Sequence, residues 1–206
     1  MGFDAVIFDL DGTLVYTTPE FRYEIVSKTL REHNRTALPD SIDRFWYGTN
    51  RNSIILEEFD LEADAFWNSF KQFDTIELRR QHVRLYSDVD MLNRLNGTKR
   101  GVLTGAPLHI TALYLEILGI SFDSVVVARP RENIKEKPHP MGLEKCMSEL
   151  MVPKNKTLYV GNAEEDVLTG KNAGVATGLI ERGEIDTSHF EPTFRLQSLY
   201  DLEKQL

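Results

Sequence analysis

Two carboxylates, those of Asp9 and Asp11, follow a short apolar segment near the start of this chain. Residues i and i+2 of an extended segment face the same side, so the two side chains lie close together and repel each other. A divalent cation removes this conflict, and oxygen ligands at a partly open site suit Mg²⁺, which keeps several waters and accepts substrate phosphate. The pair therefore predicts a Mg²⁺ site at which one carboxylate acts as a nucleophile and the other transfers protons.

Three later segments carry groups that complete such a site. Thr104 can donate a hydrogen bond to a phosphoryl oxygen, and Lys137 can neutralise charge on the nucleophile and on the transferring group. Asp166, with Glu165, can complete the metal site, and the amide of Asn162 lies close to both in the sequence. Taken singly, each residue has an ordinary structural explanation; acids at a helix N-terminus, for example, stabilise the helix dipole. Their order along the chain is the stronger signal.

The elements that must position these groups alternate between strand and helix. Strands are predicted at residues 4–9, 99–103, 122–128, 156–160 and 175–180. Helices are predicted at 108–118, 139–150 and 164–173, with an edge strand at 193–196 and a final helix near 198–205. This alternation indicates an α/β fold with a doubly wound parallel sheet, in which ligands bind at the carboxyl ends of the strands.

Residues 17–90 interrupt the alternation. They show helical periodicity, dense aromatic residues and no convincing strand, which predicts an inserted helical domain whose aromatic side chains form a hydrophobic core. The sheet domain is then expected to comprise residues 1–16 and 91–206.

Composition excludes several classes of protein. The chain has 206 residues, 24 basic and 32 acidic, and its net charge of −8 argues against a nucleic-acid partner. A single cysteine excludes an intramolecular disulfide. No apolar run approaches the ~20 residues of a membrane helix, and no targeting signal precedes the first strand. We expect a cytoplasmic protein without a membrane partner; the oligomeric state stays open, and a monomer is compatible with the sequence.

Four segments resemble the four motifs of the haloacid dehalogenase (HAD) superfamily. These are Asp9-Leu10-Asp11-Gly12-Thr13-Leu14, Thr104-Gly105, Lys137-Pro138 and Gly161-Asn162-Ala163-Glu164-Glu165-Asp166. The resemblance extends over the whole chain and is closest to phosphoglycolate phosphatase-like and sugar-phosphatase-like members. It implies a Rossmann-like core with a helical cap inserted after the first strand.

The resemblance also implies a role for each motif residue. Asp9 would attack phosphorus and form an aspartyl-phosphate, and Asp11 would protonate the leaving group and then activate water. Dehalogenases and phosphonatases of the superfamily lack the second Asp, so Asp11 indicates phosphoryl transfer rather than cleavage of a carbon–halogen or carbon–phosphorus bond. The leading hypothesis is a phosphatase for a small phosphorylated substrate. Mg²⁺ would be held by Asp9, Asp11, Asp166 and Asn162, the contribution of Asp11 coming from its backbone carbonyl.

One position departs from the family pattern, since Asn162 stands where the fourth motif usually has Asp. An amide brings no charge, so metal binding could be weaker, or the chain could be a non-catalytic binding protein; a phosphomutase is a further alternative. The segment 46–51 resembles a cap loop that reaches the core, and its Arg51 would clamp a phosphate or carboxylate. Gly105 would bind substrate beside Thr104.

Overall fold

Six parallel strands form one sheet in the computed structural model, which describes residues 2–48 and 50–206. Along the chain the strands are β1 (Ala5–Phe8), β2 (Val15–Thr17), β3 (Val83–Leu85), β4 (Lys99–Thr104), β5 (Ser124–Val127), β6 (Thr157–Gly161), β7 (Ala176–Ile180) and β8 (Phe194–Leu196). The order across the sheet is β5-β4-β1-β6-β7-β8, and β2 pairs with β3 in a separate two-stranded sheet.

The described residues also form eight α-helices. They are α1 (Pro19–Glu32), α2 (Pro39–Tyr47), α3 (Arg51–Phe59), α4 (Ala63–Phe73), α5 (Ile76–His82), α6 (Leu108–Leu118), α7 (Met141–Leu150) and α8 (Glu164–Ala173). Short 3-10 helices occur at Val89–Arg94, Pro130–Glu132, Lys154–Lys156 and Leu199–Lys204. Among all of these, none is both long enough and apolar enough to cross a bilayer.

Strand β1 lies inside the sheet, between β4 and β6, and all four of its side chains, Ala5 to Phe8, are fully buried. A strand that is apolar on both faces suits a parallel sheet covered by helices on each side. Phe8 is level with Val102 of β4 and with Val160 of β6. The residues that follow these three strands therefore leave the sheet at the same edge.

The predicted fold class is confirmed, and the strand and helix positions within the sheet domain agree with the sequence-based ones to within about three residues. One expectation was wrong in detail. A short strand, β3, occurs inside the stretch expected to contain none, because three residues are too few to produce a recognisable alternation. The predicted C-terminal helix is present as a 3-10 helix at Leu199–Lys204.

The chain divides into two compact units, one of Met1–Tyr16 with Leu85–Leu206 and one of Thr17–Arg84. The second unit ends six residues before the boundary expected from the sequence. The reason is that the 3-10 helix Val89–Arg94 packs against Leu199–Lys204, and so belongs to the sheet unit.

Aromatic side chains form the core of the helical unit, as the sequence predicted. Phe45, Phe59, Phe66 and Phe70 are all buried. Ring centroids of Phe66 lie 5.8 Å from Phe59 and 5.7 Å from Phe70, within the range of favourable aromatic pairs. The aromatic density of this segment is therefore accounted for by packing.

A buried ion pair in the sheet unit supports the loop that follows β1. Arg182 donates to Asp88 through Nη1 at 2.8 Å and Nη2 at 3.1 Å, and Nη2 also donates to the carbonyl of Thr13 at 2.6 Å. Burial alone would raise the pKa of Asp88, but hydrogen bonds from Arg182 and from the backbone of Leu199 lower it below its usual value. Asp88 therefore stays ionised at neutral pH and fixes the guanidinium that holds Thr13.

We expect Asp88→Asn to lower the free energy of unfolding by about 3 kcal/mol at pH 7, because the guanidinium of Arg182 would stay buried without its counter-ion. Urea denaturation measures the change. Glu191→Gln is the control, since it breaks an ion pair with Lys171 in which Glu191 is 85% exposed, and such pairs contribute little. Equal stability of Asp88→Asn and the wild type would contradict the structural role given to this pair.

Candidate functional site

Asp9 is the first residue after β1, and its carboxylate is buried in the sheet unit. Its backbone N–H donates to the carbonyl of Val160 at 2.9 Å, which anchors it between β1 and β6. Burial raises the pKa of Asp9 to about 8; Lys137 opposes this, whereas the charges of Asp166 and Asp11 add to it. Asp9 is therefore a carboxylate whose charge depends on a nearby cation.

Lys137 supplies positive charge at this position. Its Nζ lies 3.0 Å from Oδ1 of Asp9, 2.7 Å from Oδ1 of Asp166 and 3.4 Å from Oε1 of Glu165, and its side chain is only 5% exposed. Burial alone would lower the pKa of Lys137, but the charges of Asp166 and Asp9 raise it well above its ordinary value. One ammonium thus contacts two buried carboxylates. The two negative charges raise the pKa of Lys137, whereas a single positive charge shared with Asp166 is not enough to restore the ordinary pKa of Asp9.

Asp166 lies in the first turn of α8 and turns back toward the end of β6. Its Oδ2 accepts a hydrogen bond from the backbone N–H of Ala163 at 3.1 Å, and its Oδ1 accepts one from the hydroxyl of Tyr159 at 2.8 Å. A Cβ at Gly161 would lie 2.3 Å from this carboxylate, so only glycine allows the carboxylate to occupy this place. The acidic residue thus caps the helix and binds Lys137 at the same time.

Tyr159 is a site residue that sequence reasoning missed. It is buried in β6, and burial followed by the charge of Asp166 raises its pKa well above its ordinary value, so it remains a hydrogen-bond donor. The sequence does contain a signal for this residue, namely a tyrosine within the apolar segment 156–160. A buried phenol needs a polar partner, so such a tyrosine indicates a polar group nearby.

The turn after Asp9 brings Asn162 next to the loop that carries Asp11. Gly12 has φ +76°, and a Cβ on it would lie 2.2 Å from Nδ2 of Asn162. The hydroxyl of Thr13 donates to Oδ1 of Asn162 at 3.4 Å. The asparagine amide therefore packs directly against the backbone of the Asp9–Thr13 loop.

Asp11 is exposed, and its Oδ1 accepts a hydrogen bond from the hydroxyl of Tyr114 at 2.9 Å. Tyr114 is the second residue near the site that sequence reasoning missed. It occupies a position on α6 where helical spacing predicts a core side chain, so only its hydroxyl distinguishes it from an apolar residue.

Thr104 and Gly105 lie where β4 ends. Thr104 is buried, and its Oγ1 accepts a hydrogen bond from the backbone N–H of Ala106 at 3.1 Å. That contact uses the oxygen as an acceptor and leaves the hydroxyl proton available for donation. The carbonyl of Gly105 accepts from Nη1 of Arg129 at 2.8 Å, and this contact fixes the start of the loop toward α6.

Arg51 belongs to the helical unit, where it begins α3. Its Nη2 donates to the carbonyl of Trp46 at 2.9 Å, and its guanidinium lies 6.0 Å from the ring centroid of Phe45. Within the predicted loop 46–51, Thr49 lies outside the described residues. The role of Arg51 as a substrate clamp stays a prediction.

The oxygen donors at the edge of the sheet suit Mg²⁺. Residues 2–48 and 50–206 contain no group of three or more His, Cys, Asp and Glu side chains that could hold a metal without help. The carboxylate of Asp9 and the amide of Asn162, which packs against the Asp11 loop, are hard oxygen donors. Mg²⁺ is commonly bound by one or two carboxylates together with water and substrate phosphate, so this small donor set fits it.

Comparisons with known proteins found a matching family and several full-length relatives. The sequence model of haloacid dehalogenase-like hydrolases matches residues 6–180. Pyrophosphatase PpaX of Halalkalibacterium halodurans is 28% identical over 225 residues, covering 98% of this chain and 96% of that protein. Pyrophosphatase PpaX of Bacillus cereus is 26% identical over 214 residues, with coverages of 98% and 95%.

Two solved structures resemble the fold closely. A candidate phosphoglycolate phosphatase from Lactobacillus plantarum has a TM-score of 0.81 at 18% identity, with full coverage of both chains. A HAD-superfamily hydrolase of subfamily IA from Geobacter sulfurreducens has a TM-score of 0.75 at 19% identity, covering 98% of this chain and 95% of the other. At these identities the likeness concerns the fold alone.

We expect Asp9→Asn to stabilise the protein in metal-free buffer, and the gain should grow with pH. The unfolded chain ionises Asp9 near pH 4, whereas the folded chain does so near 8, so the stability that protonated Asp9 contributes is lost as the pH rises between these values. Asparagine does not titrate, so its advantage should grow by several kcal/mol between about pH 4 and pH 8 and then level off.

Urea denaturation at pH 5, 7 and 9 checks this expectation. Asp4→Asn is the control, because Asp4 is 60% exposed and its substitution should give no such trend. A stability difference between Asp9→Asn and the wild type that is constant over this pH range would contradict the raised pKa of Asp9.

Proposed function

This chain belongs to the haloacid dehalogenase-like hydrolase family and is a phosphoric ester hydrolase, and we propose that it is a Mg²⁺-dependent phosphatase acting through an aspartyl-phosphate. One observation carries the proposal: Lys137 bridges the buried carboxylates of Asp9 and Asp166 at the carboxyl edge of the sheet. Placing three charged side chains in a buried position is costly, and phosphoryl transfer is a chemistry that uses them.

In the first step an oxygen of Asp9 attacks phosphorus, and the bond between phosphorus and the leaving oxygen breaks. Asp11 donates a proton to that oxygen, so the leaving group departs as a neutral alcohol or, from an anhydride, as a protonated phosphate. Lys137 holds Asp9 through a hydrogen bond of 3.0 Å, and its charge offsets negative charge on the transferring group. The hydroxyl of Thr104 donates a hydrogen bond to a phosphoryl oxygen.

In the second step a water molecule attacks the phosphorus of the aspartyl-phosphate. Asp11, now ionised, accepts a proton from that water, the phosphorus–oxygen bond to Asp9 breaks, and inorganic phosphate leaves. Asp9 returns to its carboxylate form beside Lys137. Asp11 therefore acts as an acid first and as a base afterwards, which requires that it changes protonation state once in each half-reaction.

Mg²⁺ would be held by Asp9, by Asn162 and by the backbone carbonyl of Asp11, and it would supply charge that favours the ionised form of Asp9 and neutralises phosphoryl oxygens. Asp166 stays a predicted ligand. Both of its oxygens already accept hydrogen bonds, from Ala163, Tyr159 and Lys137, so binding to the cation would compete with these contacts.

The substrate class we propose is a small phosphate monoester or anhydride. Relatives named pyrophosphatases support inorganic pyrophosphate as a first compound to test. The resemblance of the sequence motifs to phosphoglycolate phosphatase-like proteins adds 2-phosphoglycolate. Sugar phosphates complete the set, in keeping with the resemblance of the segment 46–51.

The wild type should release inorganic phosphate from at least one compound of this panel with Mg²⁺ present, and release should stop in EDTA. Asp9→Asn should lose activity by at least about a thousandfold, because the nucleophile is gone, while retaining its fold by circular dichroism. Turnover by purified Asp9→Asn at the wild-type rate would contradict the assigned nucleophile. Release that requires a bisphosphorylated activator would identify a phosphomutase instead.

A neutral residue at position 162 favours a second candidate function, that of a binding protein without turnover. Asn162→Asp should strengthen Mg²⁺ binding by about tenfold, since it adds a charge to the donor set, and calorimetry measures this directly. Asn96→Asp, on an exposed loop, is the control and should leave the affinity unchanged. If wild type is inactive on the whole panel and Asn162→Asp is active, the binding protein is the correct assignment.

Binding of Mg²⁺ should also release protons, and affinity should increase with pH up to about 8, because the cation requires ionised Asp9. Calorimetry in two buffers of different ionisation enthalpy counts these protons. Binding without proton release at pH 7 would show that Asp9 is already ionised in the metal-free protein.

A further inference from the structure

The hydrogen bond between Tyr114 and Asp11 joins a fully buried helix residue to an exposed loop residue. Tyr114 has no exposed surface, whereas Asp11 is exposed, and the phenol oxygen lies 2.9 Å from Oδ1 of the carboxylate. The two residues are 103 positions apart in the sequence, so the contact depends on the tertiary fold, which brings α6 to the loop after β1.

The position of Tyr114 on α6 could be filled by an apolar residue. The other buried residues of α6 are Ile110, Thr111, Leu113 and Leu118. A phenol in this buried position carries a desolvation cost unless its hydroxyl is hydrogen bonded. Asp11 supplies the acceptor. The hydrogen bond therefore favours one orientation of the Asp11 side chain, and the buried position of Tyr114 on α6 determines where the hydroxyl lies.

This contact has a chemical consequence for Asp11. A carboxylate on a tight turn has several rotamers, and a donor fixed at Oδ1 selects one of them. With Oδ1 accepting from the phenol, the proton that Asp11 transfers is carried on Oδ2. Correct orientation of the proton donor is a large part of acid catalysis.

We propose that Tyr114 is a positioning residue that orients Asp11 for proton transfer to the leaving group. The inference rests on the proposed function, in which Asp11 is the general acid, and it adds a residue that belongs to none of the four motifs. Tyr114 acts through Asp11 and has no assigned contact with the substrate.

Tyr114→Phe removes the hydroxyl and keeps the ring in the core. The test uses single-turnover release of the leaving group from two esters of similar shape, phenyl phosphate and 2,4-dinitrophenyl phosphate, with enzyme in excess. Phenolate is a poor leaving group that needs protonation, whereas dinitrophenolate leaves without it. The variant should release phenol about tenfold more slowly, the size expected for losing a hydrogen bond to the carboxylate that forms as Asp11 gives up its proton. It should release dinitrophenol within about twofold of the wild-type rate.

The ratio of the two rates is measured in one preparation, so partial unfolding of the variant does not affect it. In an Asp11→Asn background, Tyr114→Phe should cause no further change, because the residue it orients no longer carries a proton. Tyr200→Phe is the matched control: Tyr200 donates to Asp90 in an exposed pair elsewhere in the sheet unit, and both rates should stay at wild-type values.

Equal slowing of both esters by Tyr114→Phe, or no slowing of either, would overturn the assignment of Tyr114 while leaving the proposed function intact. A wild type that releases neither leaving group in the presence of Mg²⁺, with no phosphate from the metabolite panel, would overturn the proposed function and the inference with it.

Discussion

The contact of one ammonium with two buried carboxylates is the interaction on which the site depends. Lys137 lies within hydrogen-bond distance of Asp9 and Asp166, and removing it would leave two like charges in a buried environment. The ammonium does not fully compensate both acids, and the remaining cost is the raised pKa of Asp9. A carboxylate in this condition gains from a second cation, so the same imbalance that weakens the fold locally favours binding of a metal.

Backbone constraints make that contact possible. Parallel register places the ends of β1, β4 and β6 at one edge, but register alone does not bring the side chains into contact. Gly161 leaves room for the carboxylate of Asp166, and Gly12 leaves room for the amide of Asn162. On the other side of the loop, Arg182 holds the carbonyl of Thr13. The site is therefore supported by residues that have no part in the chemistry.

The site carries less negative charge than it would if position 162 were an acid, as the fourth motif usually has it. Asn162 contributes an oxygen without charge, and the charge of Asp166 is already matched by Lys137. Cation affinity in the free protein then depends mainly on Asp9, and the phosphate of the substrate becomes a larger part of the ligand set. The match of the family model to residues 6–180 does not distinguish a site with Asn162 from one with an acid at that position. One amide in place of one carboxylate changes the free energy of cation binding and leaves the fold unchanged.

Local patterns in the sequence were enough to predict the alternating fold and to select Asp9, Asp11, Thr104, Lys137 and Asp166 as candidate site residues, because strand and helix periodicity and short motifs are local properties. It did not reveal Tyr159 or Tyr114, since a tyrosine at a core position has the same spacing as leucine or phenylalanine. Packing decides which carboxylate each phenol binds. Tyr159 binds Asp166, seven positions away in the sequence, and Tyr114 binds Asp11, 103 positions away. Only the tertiary structure determines that pairing, because burial turns an ordinary hydroxyl into a donor that must find an acceptor.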